Sequence, residues 1–383
     1  MGLLVGSLAL LLAVQCPVVA VLYFYFARLS LMTGLCAGTG FFLITGIWLL
    51  QVFLTTLHND RSVAITFIVG CLTSCAAGLA LGPRYSTAGM LLGYNIGLGL
   101  VFFTLLARVL AEYPAALASP FAFARTFRKH WLLAAGGLAY NVAIWADKWV
   151  MWSAPEAVRH PCGLVSFTNY DSAMFLAFLS IIPAISLFVT NVETRFYEIY
   201  LRYLRNIREH APWSVLERDQ RDILATIFSG ARQILVWQGL VTAGLLLIAP
   251  RLLEMSGIAF IQLGMFRLGL LGAFFHAQFL FLLILLSYFE LYRETVLLQL
   301  LFLATNTLFT RLTLELGLPW YGCGYAMAAV LSFAAAAAAA FRLLPGVAFE
   351  TFIRRNAALC ASGFDDTASP EDDRRRSASP TGG

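Results

Sequence analysis

Residues 259–288 read AFIQLGMFRLGLLGAFFHAQFLFLLILLSY, a stretch whose only Lys, Arg, Asp or Glu is Arg267. The apolar run is long enough for a helix to cross a hydrocarbon core of about 30 Å. It lacks the alternation of apolar and polar residues that is typical of a strand in a membrane barrel. We therefore predict a transmembrane helix here, and similar runs recur along the chain.

The composition extends this prediction to the whole chain. Hydrophobic residues make up 60% of the 383 residues, charged residues make up 12%, and the mean hydropathy is +0.78. A soluble domain of this composition would expose too much apolar surface to water, whereas helices in lipid satisfy their own backbone hydrogen bonds. We predict an all-α, polytopic integral membrane protein. The net charge of +5 does not indicate nucleic-acid binding, because the basic residues form no stacking platform or groove pattern.

Ten apolar runs are long enough to be spans, and several are separated by short polar or turn-forming links such as 82–84 (Gly-Pro-Arg). The ten predicted spans are residues 2–24, 31–57, 63–81, 86–107, 131–152, 171–192, 233–249, 259–288, 295–316 and 322–344. Pro17 and Pro183 lie inside two of these runs. Both predict an interruption, because proline removes a helical hydrogen bond.

Basic residues are unevenly divided between the loops. The loops on one side of the predicted spans carry most of the Lys and Arg residues. The loops on the other side carry only Arg28, Arg84, Arg159 and Arg251. Basic loops stay on the cytoplasmic side of a membrane, so we predict a multi-pass membrane protein with both termini in the cytoplasm.

Two transmembrane lobes are expected. The predicted bounds are 1–112 for the first lobe, 113–130 for a cytoplasmic linker, 131–350 for the second lobe and 351–383 for a disordered cytoplasmic tail. A cytoplasmic segment at 193–232 interrupts the second lobe, and its start is amphipathic, with Phe196, Ile199, Tyr200 and Tyr203 on one face. This start is either a lever or partner-docking helix, or an interfacial helix whose apolar face enters the lipid headgroups.

An ionisable side chain inside a span is energetically unfavourable and calls for a reason. The densest polar group lies on the fifth predicted span, where Tyr140, Asn141, Asp147 and Lys148 fall on two adjacent helical faces. These side chains either form a polar wall of a central cavity, or Lys148 extends outward beside Asp147 to the membrane surface. In the first case, all four are substrate-path candidates.

Later spans contribute further polar residues. Arg267 and the i,i+4 pair of Arg311 and Glu315 fall at the depth of Lys148 in the outer half of the membrane. Arg267 and Arg311 are therefore also substrate-path candidates. Hydrogen bonds between helices would account equally well for the deeper polar residues, which are His276, Gln278, Gln299 and Asn306.

No catalytic sequence motif is present. The chain lacks a Walker A motif, a His-Glu-x-x-His motif and an Asp-x-Asp pair. Its seven cysteines are scattered and do not combine with histidines into a zinc-binding set. We therefore expect a protein that is not an enzyme and that binds no metal or cofactor.

Two stretches of the second lobe are distinctive. Residues 140–152 read YNVAIWADKWVMW, and residues 170–183 read YDSAMFLAFLSIIP, followed by VETRFYE at 192–198. In sequence, order and separation these stretches resemble the PelG family of exopolysaccharide Pel transporters. The resemblance extends over about residues 1–350.

The resemblance implies membership of the multidrug/oligosaccharidyl-lipid/polysaccharide (MOP) flippase superfamily, with two six-helix bundles and alternating access. Since ten spans are predicted here, it implies that the first two are absent, leaving four helices in one bundle and six in the other. It also implies export of a polymer rich in N-acetylgalactosamine across the bacterial inner membrane for a biofilm matrix, with the glycosyltransferase PelF and the membrane scaffolds PelD and PelE as partners. Candidates for coupling helix motion to the cytoplasmic side are Asp171, Pro183, Glu193 and Glu198.

Three functions remain open. The leading hypothesis is a transporter that moves the polysaccharide through a cavity between the lobes, past the substrate-path candidates. The second is a non-conducting anchor that holds a cytoplasmic polysaccharide synthase through residues 193–232. The third is a cation-coupled exporter of small molecules with the same fold. A transporter needs the polar residues inside the membrane, whereas an anchor needs only its cytoplasmic surface.

Overall fold

The computed structural model describes residues 2–55, 60–112, 122–161, 163–189, 194–255 and 261–343. Its helices are α1 (Gly2–Ala20), α2 (Leu31–Thr55), α3 (Asp60–Glu112), α4 (Ala122–Met151), α5 (Thr168–Leu179), α6 (Ile182–Leu187), α7 (Thr194–Arg208), α8 (Trp213–Met255), α9 (Gln262–Tyr288), α10 (Tyr292–Leu316) and α11 (Cys323–Leu343). Within these residues the only sheet is an antiparallel hairpin of β1 (Val158–Arg159) and β2 (Val165–Ser166). The predicted all-α class is confirmed.

Eight helices among the described residues are long and apolar enough to cross a membrane. Two features account for the difference from ten predicted spans. The helix α3 contains two predicted spans, and α4 falls outside the eight because Asn141, Asp147 and Lys148 lower its mean hydropathy. Large apolar side chains on the outer faces are exposed; for example, Leu79 is 80% exposed and Leu247 is 83% exposed. Such positions suit contact with lipid.

The chain reverses direction inside α3. The backbone leaves helical geometry at Tyr85 and at Ser86, where φ is 50°, next to the predicted link at 82–84. The two halves then pack on each other, and the Ser74 hydroxyl donates a hydrogen bond to the Tyr94 carbonyl oxygen at 3.1 Å. Gly93 lies against the backbone of the first half, where a Cβ atom would clash. The third and fourth predicted spans therefore form a tight helical hairpin.

The predicted interruption at Pro183 is confirmed. The helix α5 ends at Leu179, and α6 begins at Ile182, with Pro183 in its first turn. Between them the Ile181 N–H donates to the Phe178 carbonyl oxygen at 3.0 Å, which tightens the turn. The predicted interruption at Pro17 is wrong, since α1 continues through it to Ala20 and a π-helical turn follows at Val21–Phe26. Proline is tolerated inside membrane helices.

The chain divides into two compact units. Unit 1 comprises Met1–Ala134 and Ala154–Phe167, and unit 2 comprises Ala135–Ser153 and Thr168–Gly383. In unit 1, α2 packs against α3 around Leu50 and Leu105. The lobe bounds predicted from sequence stay predictions. Most of the predicted linker (113–121) and the whole predicted tail (351–383) lie outside the described residues.

In unit 2, α7 packs on the protein. Phe196 and Tyr203, on the amphipathic face predicted from sequence, are buried among residues of α8 and α9. The Phe196 ring lies 5.2 Å from the Tyr288 ring and 5.8 Å from the Phe289 ring, measured between centroids. The interfacial-helix alternative is therefore wrong for this face, because protein rather than lipid headgroups covers it.

Candidate functional site

The helix α4 carries two charged side chains into the interior of unit 2. Asp147 is fully buried, and Lys148 is 8% exposed. The Lys148 ammonium lies 3.0 Å from Asp147 Oδ1 and donates a second hydrogen bond to the Ile144 carbonyl oxygen at 2.9 Å. It also lies over the Phe178 ring, 4.4 Å from the centroid, which is a favourable cation–π position. These contacts exclude the alternative in which Lys148 extends to the membrane surface.

The second oxygen of Asp147 is also bound. The Tyr170 hydroxyl on α5 donates to Asp147 Oδ2 at 3.0 Å, and Tyr170 is fully buried. A buried ion pair is tolerated only where the geometry is good and the remaining lone pairs are satisfied. Asp147 meets this condition, since each of its carboxylate oxygens has a partner.

A chain of three hydrogen-bonding side chains lies beside the ion pair. The Tyr140 hydroxyl on α4 is 2.7 Å from His276 Nε2, and His276 Nδ1 is 3.0 Å from the Tyr325 hydroxyl. An uncharged imidazole donates through one ring nitrogen and accepts through the other, so the two hydroxyls can satisfy both. We call Tyr140, Asp147, Lys148, Tyr170, His276 and Tyr325 the Lys148 cluster.

Close helix packing positions this cluster. The Tyr325 ring lies directly on Gly272 of α9, where a Cβ atom would overlap it. On the other side, the Asn306 amide of α10 donates to the Ala143 carbonyl oxygen of α4 at 2.8 Å. The Lys148 cluster therefore joins α4, α5, α9 and α11, and α10 contacts it through Phe302, whose ring lies 5.0 Å from the His276 ring.

The structure brings together only some of the predicted substrate-path residues. Tyr140, Asp147 and Lys148 belong to the cluster. Asn141 is exposed, and its amide donates to the Gly137 carbonyl oxygen of its own helix at 2.8 Å. Arg267 is also exposed. Arg311 pairs with Glu315 at 3.4 Å, as the spacing predicts, and both side chains are more than half exposed.

The coupling candidates lie apart from one another. The carboxylate of Asp171, in the first turn of α5, accepts a hydrogen bond from Trp152 Nε1 at 3.2 Å. Glu198 is exposed on α7, beyond the far end of α6. Pro183 is exposed at the start of α6, between these two carboxylates in sequence. Glu193 lies outside the described residues.

Sequence reasoning did not assign a role to Tyr170, Phe178 or Tyr325. Tyr170 and Phe178 stand within the distinctive stretch at 170–183, and Tyr325 lies in the first turns of α11. The available signal was a tyrosine hydroxyl inside a span, which needs a partner when buried. Among the described residues, no group of three or more His, Cys, Asp or Glu side chains could hold a metal ion.

Membrane-length helices and a buried ion pair define a polytopic helical membrane protein. The family described as "PelG: Putative exopolysaccharide Exporter (EPS-E)" matches residues 1–352. The chain belongs to this family, which confirms the resemblance seen in the sequence. Comparison with curated proteins finds no match, and comparison with solved structures finds none either.

Proposed function

We propose that this chain exports a Pel-type exopolysaccharide, rich in N-acetylgalactosamine, across the bacterial inner membrane for a biofilm matrix. The path is flippase-like, of the MOP type, and the chain acts without catalysis or a cofactor. Membership of an exopolysaccharide exporter family supports the export role. The membrane-length helices support a path through the bilayer.

The observation that carries the proposal is the ion pair of Asp147 and Lys148 within α4. Charged residues inside spans are unfavourable and commonly mark the path of a substrate or ion. A chain that only anchored a soluble enzyme would have no need for this pair. The pair also lies in a stretch, 140–152, that matches the exporter family.

The six substrate-path candidates divide into two roles. Asn141 on α4 is exposed, so its amide would hydrogen-bond sugar hydroxyls and acetamides. Tyr140 is half-buried and would do so on releasing His276. The exposed guanidinium groups of Arg267 and Arg311 would do the same. Asp147 and Lys148 would hold α4 against α5 in one state, and would exchange partners when the helices move.

The break before Pro183 divides the span into α5 and α6, and broken helices are common where transporters move. We propose that α6 transmits motion to the α7 segment, where Glu198 is exposed. Asp171 would hold the start of α5 through its hydrogen bond with Trp152. Glu193 is the fourth proposed coupling residue. The α7 segment would face the cytoplasm and the partners PelF, PelD and PelE.

The test compares single and paired substitutions at the ion pair, in cells that depend on this chain for polymer secretion. Asp147→Asn or Lys148→Met leaves one buried charge unpaired, so protein abundance and secretion should both fall. The double variant Asp147→Leu/Lys148→Met replaces the pair with apolar side chains, which is often neutral for stability. Abundance should recover while secretion stays lost.

Arg251→Ala serves as the control, because Arg251 is exposed on α8 and belongs to no proposed path. It should secrete at the wild-type level. If the double variant restores secretion as well as abundance, the ion pair has only a structural role. The proposed participation of Asp147 and Lys148 in export would then be rejected.

A further inference from the structure

An apolar groove of about 350 Å³ lies between α8, α9 and α11 in unit 2. Among its lining residues are Ile227, Phe228, Leu235, Phe281, Phe333 and Phe341. The groove follows α11 from Phe333 to Phe341, which is about 12 Å at 1.5 Å per residue. All three helices are long and apolar enough to cross a membrane. Phe228, Leu235 and Phe341 are exposed, so the groove opens on the surface of these helices. Arg232 is the last residue of the predicted cytoplasmic segment (193–232), which would place it at the depth of the lipid headgroups.

Two hydrogen-bond donors interrupt the apolar lining. Arg232 is exposed, and it has no ion pair within the residues that the structure describes. Gln278 is 3% exposed, and its Nε2 has no hydrogen-bond partner in the same residues. A cation and a buried amide donor, both lining one groove, call for a ligand that offers negatively charged or carbonyl oxygens.

We propose that this groove binds an anionic phospholipid. The lipid phosphate accepts hydrogen bonds from the Arg232 guanidinium, and an acyl chain packs against the phenylalanine and aliphatic lining. An ester carbonyl oxygen of the lipid accepts from Gln278 Nε2. Basic pockets between transmembrane helices bind lipid headgroups in this way. The volume falls within the range of about 300–1,000 Å³ that is usual for sites holding small molecules.

A free phosphate ion fits the groove less well than a lipid does. It would engage Arg232 but would make no contact with most of the apolar lining. An uncharged or zwitterionic lipid would cover the lining but would not balance the Arg232 charge. The groove therefore favours a ligand with both a negative headgroup and a hydrocarbon chain.

The experiment titrates the purified full-length protein, in neutral detergent, with phosphatidylglycerol and measures the Kd by native mass spectrometry. Charge-assisted hydrogen bonds contribute enough that Arg232→Gln should weaken binding by roughly tenfold. Arg251→Gln, on the same helix outside the groove, should leave the Kd unchanged. Ala337→Phe, which fills the groove without altering either donor, should also weaken binding.

Each comparison can overturn the proposal. If Arg232→Gln and Ala337→Phe bind phosphatidylglycerol as tightly as Arg251→Gln does, the lipid does not occupy this groove. If phosphatidylcholine binds wild-type protein equally well, the site does not select an anionic headgroup. If inorganic phosphate displaces phosphatidylglycerol, the groove is an anion site rather than a lipid site. Thermal unfolding of each variant verifies that it is folded.

Discussion

Asp147 and Asp219 are both buried carboxylates of unit 2, and each accepts from a cation and from a neutral donor. Asp147 is bound by Lys148 and by the Tyr170 hydroxyl. Asp219 on α8 is bound by Arg202 Nε of α7 at 3.0 Å and by the Asn206 amide at 2.6 Å. The two cations differ in their access to water: the Lys148 side chain is 10% exposed and the Arg202 side chain is 48% exposed.

This difference determines what happens when a carboxylate is removed. The Lys148 ammonium has little access to water or to another anion, so its charge would stay buried and unpaired. Arg202 could turn toward water and would retain Asp222, its other acidic partner. An aspartate paired with a cation is therefore expected to be critical for stability inside the helical bundle, and much less so between α7 and α8.

The largest effect is predicted for Asp147→Asn. Removing one partner of a buried ion pair typically destabilises a protein by about 3–5 kcal/mol. The substitution preserves side-chain volume and leaves Lys148 without a counter-charge. Unfolding of the purified protein by sodium dodecyl sulfate, followed by circular dichroism, would measure the loss. A loss of stability smaller than that caused by Asp219→Asn would contradict this prediction.

Asp219→Asn should destabilise the protein less, by about 1–3 kcal/mol, because it weakens a buried hydrogen-bond acceptor. The effect should also be more local, because the Arg202 side chain can reach water. The loss should loosen α7 on α8. Hydrogen exchange at the α7 amides would then increase, and exchange around Asn306 in α10, which is bonded to α4, would stay unchanged. Glu217→Gln is a suitable control, because Glu217 is exposed on the same helix. Faster exchange around Asn306 would indicate that the Asp219 contacts and the Lys148 cluster are not independent.

Much of the fold followed from the sequence, because in lipid a long apolar run has few alternatives to a helix. The reversal inside α3 follows the link at 82–84, and the break in the α5–α6 span falls at Pro183. The sequence also singled out Tyr140, Asp147 and Lys148 as an unusual polar group.

Their partners could not be predicted, since Tyr170, His276 and Tyr325 come from three other helices. Which faces meet depends on helix rotation and close packing, such as the contact of Tyr325 with Gly272. A period of 3.6 residues locates an apolar face but does not tell whether protein or lipid covers it. For this reason the sequence of α7 allows two interpretations, and the burial of Phe196 and Tyr203 in the protein decides between them.

A third prediction concerns Tyr203, beside the Asp219 contacts. Burial, and to a smaller extent Tyr200 and Asp219, raises the pKa of the Tyr203 hydroxyl above its ordinary value of 10.0. Below that pH the hydroxyl is neutral in both the folded and the unfolded state. As the pH rises further, the unfolded chain loses the proton first, so the free energy of unfolding should fall.

Tyr203→Phe keeps the ring and removes the ionisable group. The variant should therefore lose less stability than wild type on going from about pH 9 to about pH 11. Unfolding curves at both pH values measure this difference. Tyr197→Phe, at an exposed position on the same helix, should behave like wild type. An unchanged pH dependence in Tyr203→Phe would show that this hydroxyl does not limit the alkaline stability of α7.

The smallest effect is expected at the exposed pair of Arg311 and Glu315, whose side chains are 57% and 63% exposed. An i,i+4 pair of this kind contributes about 0.3–0.5 kcal/mol, because water and salt screen both charges. A double-mutant cycle with Arg311→Ala and Glu315→Ala would give the coupling free energy directly. If that energy approached the loss caused by Asp147→Asn, burial could not explain why Asp147 and Lys148 matter. The three ion pairs that are ranked, those of Asp147, Asp219 and Glu315, all have contacts of 3.0–3.4 Å. Their ranking therefore tests exposure rather than distance.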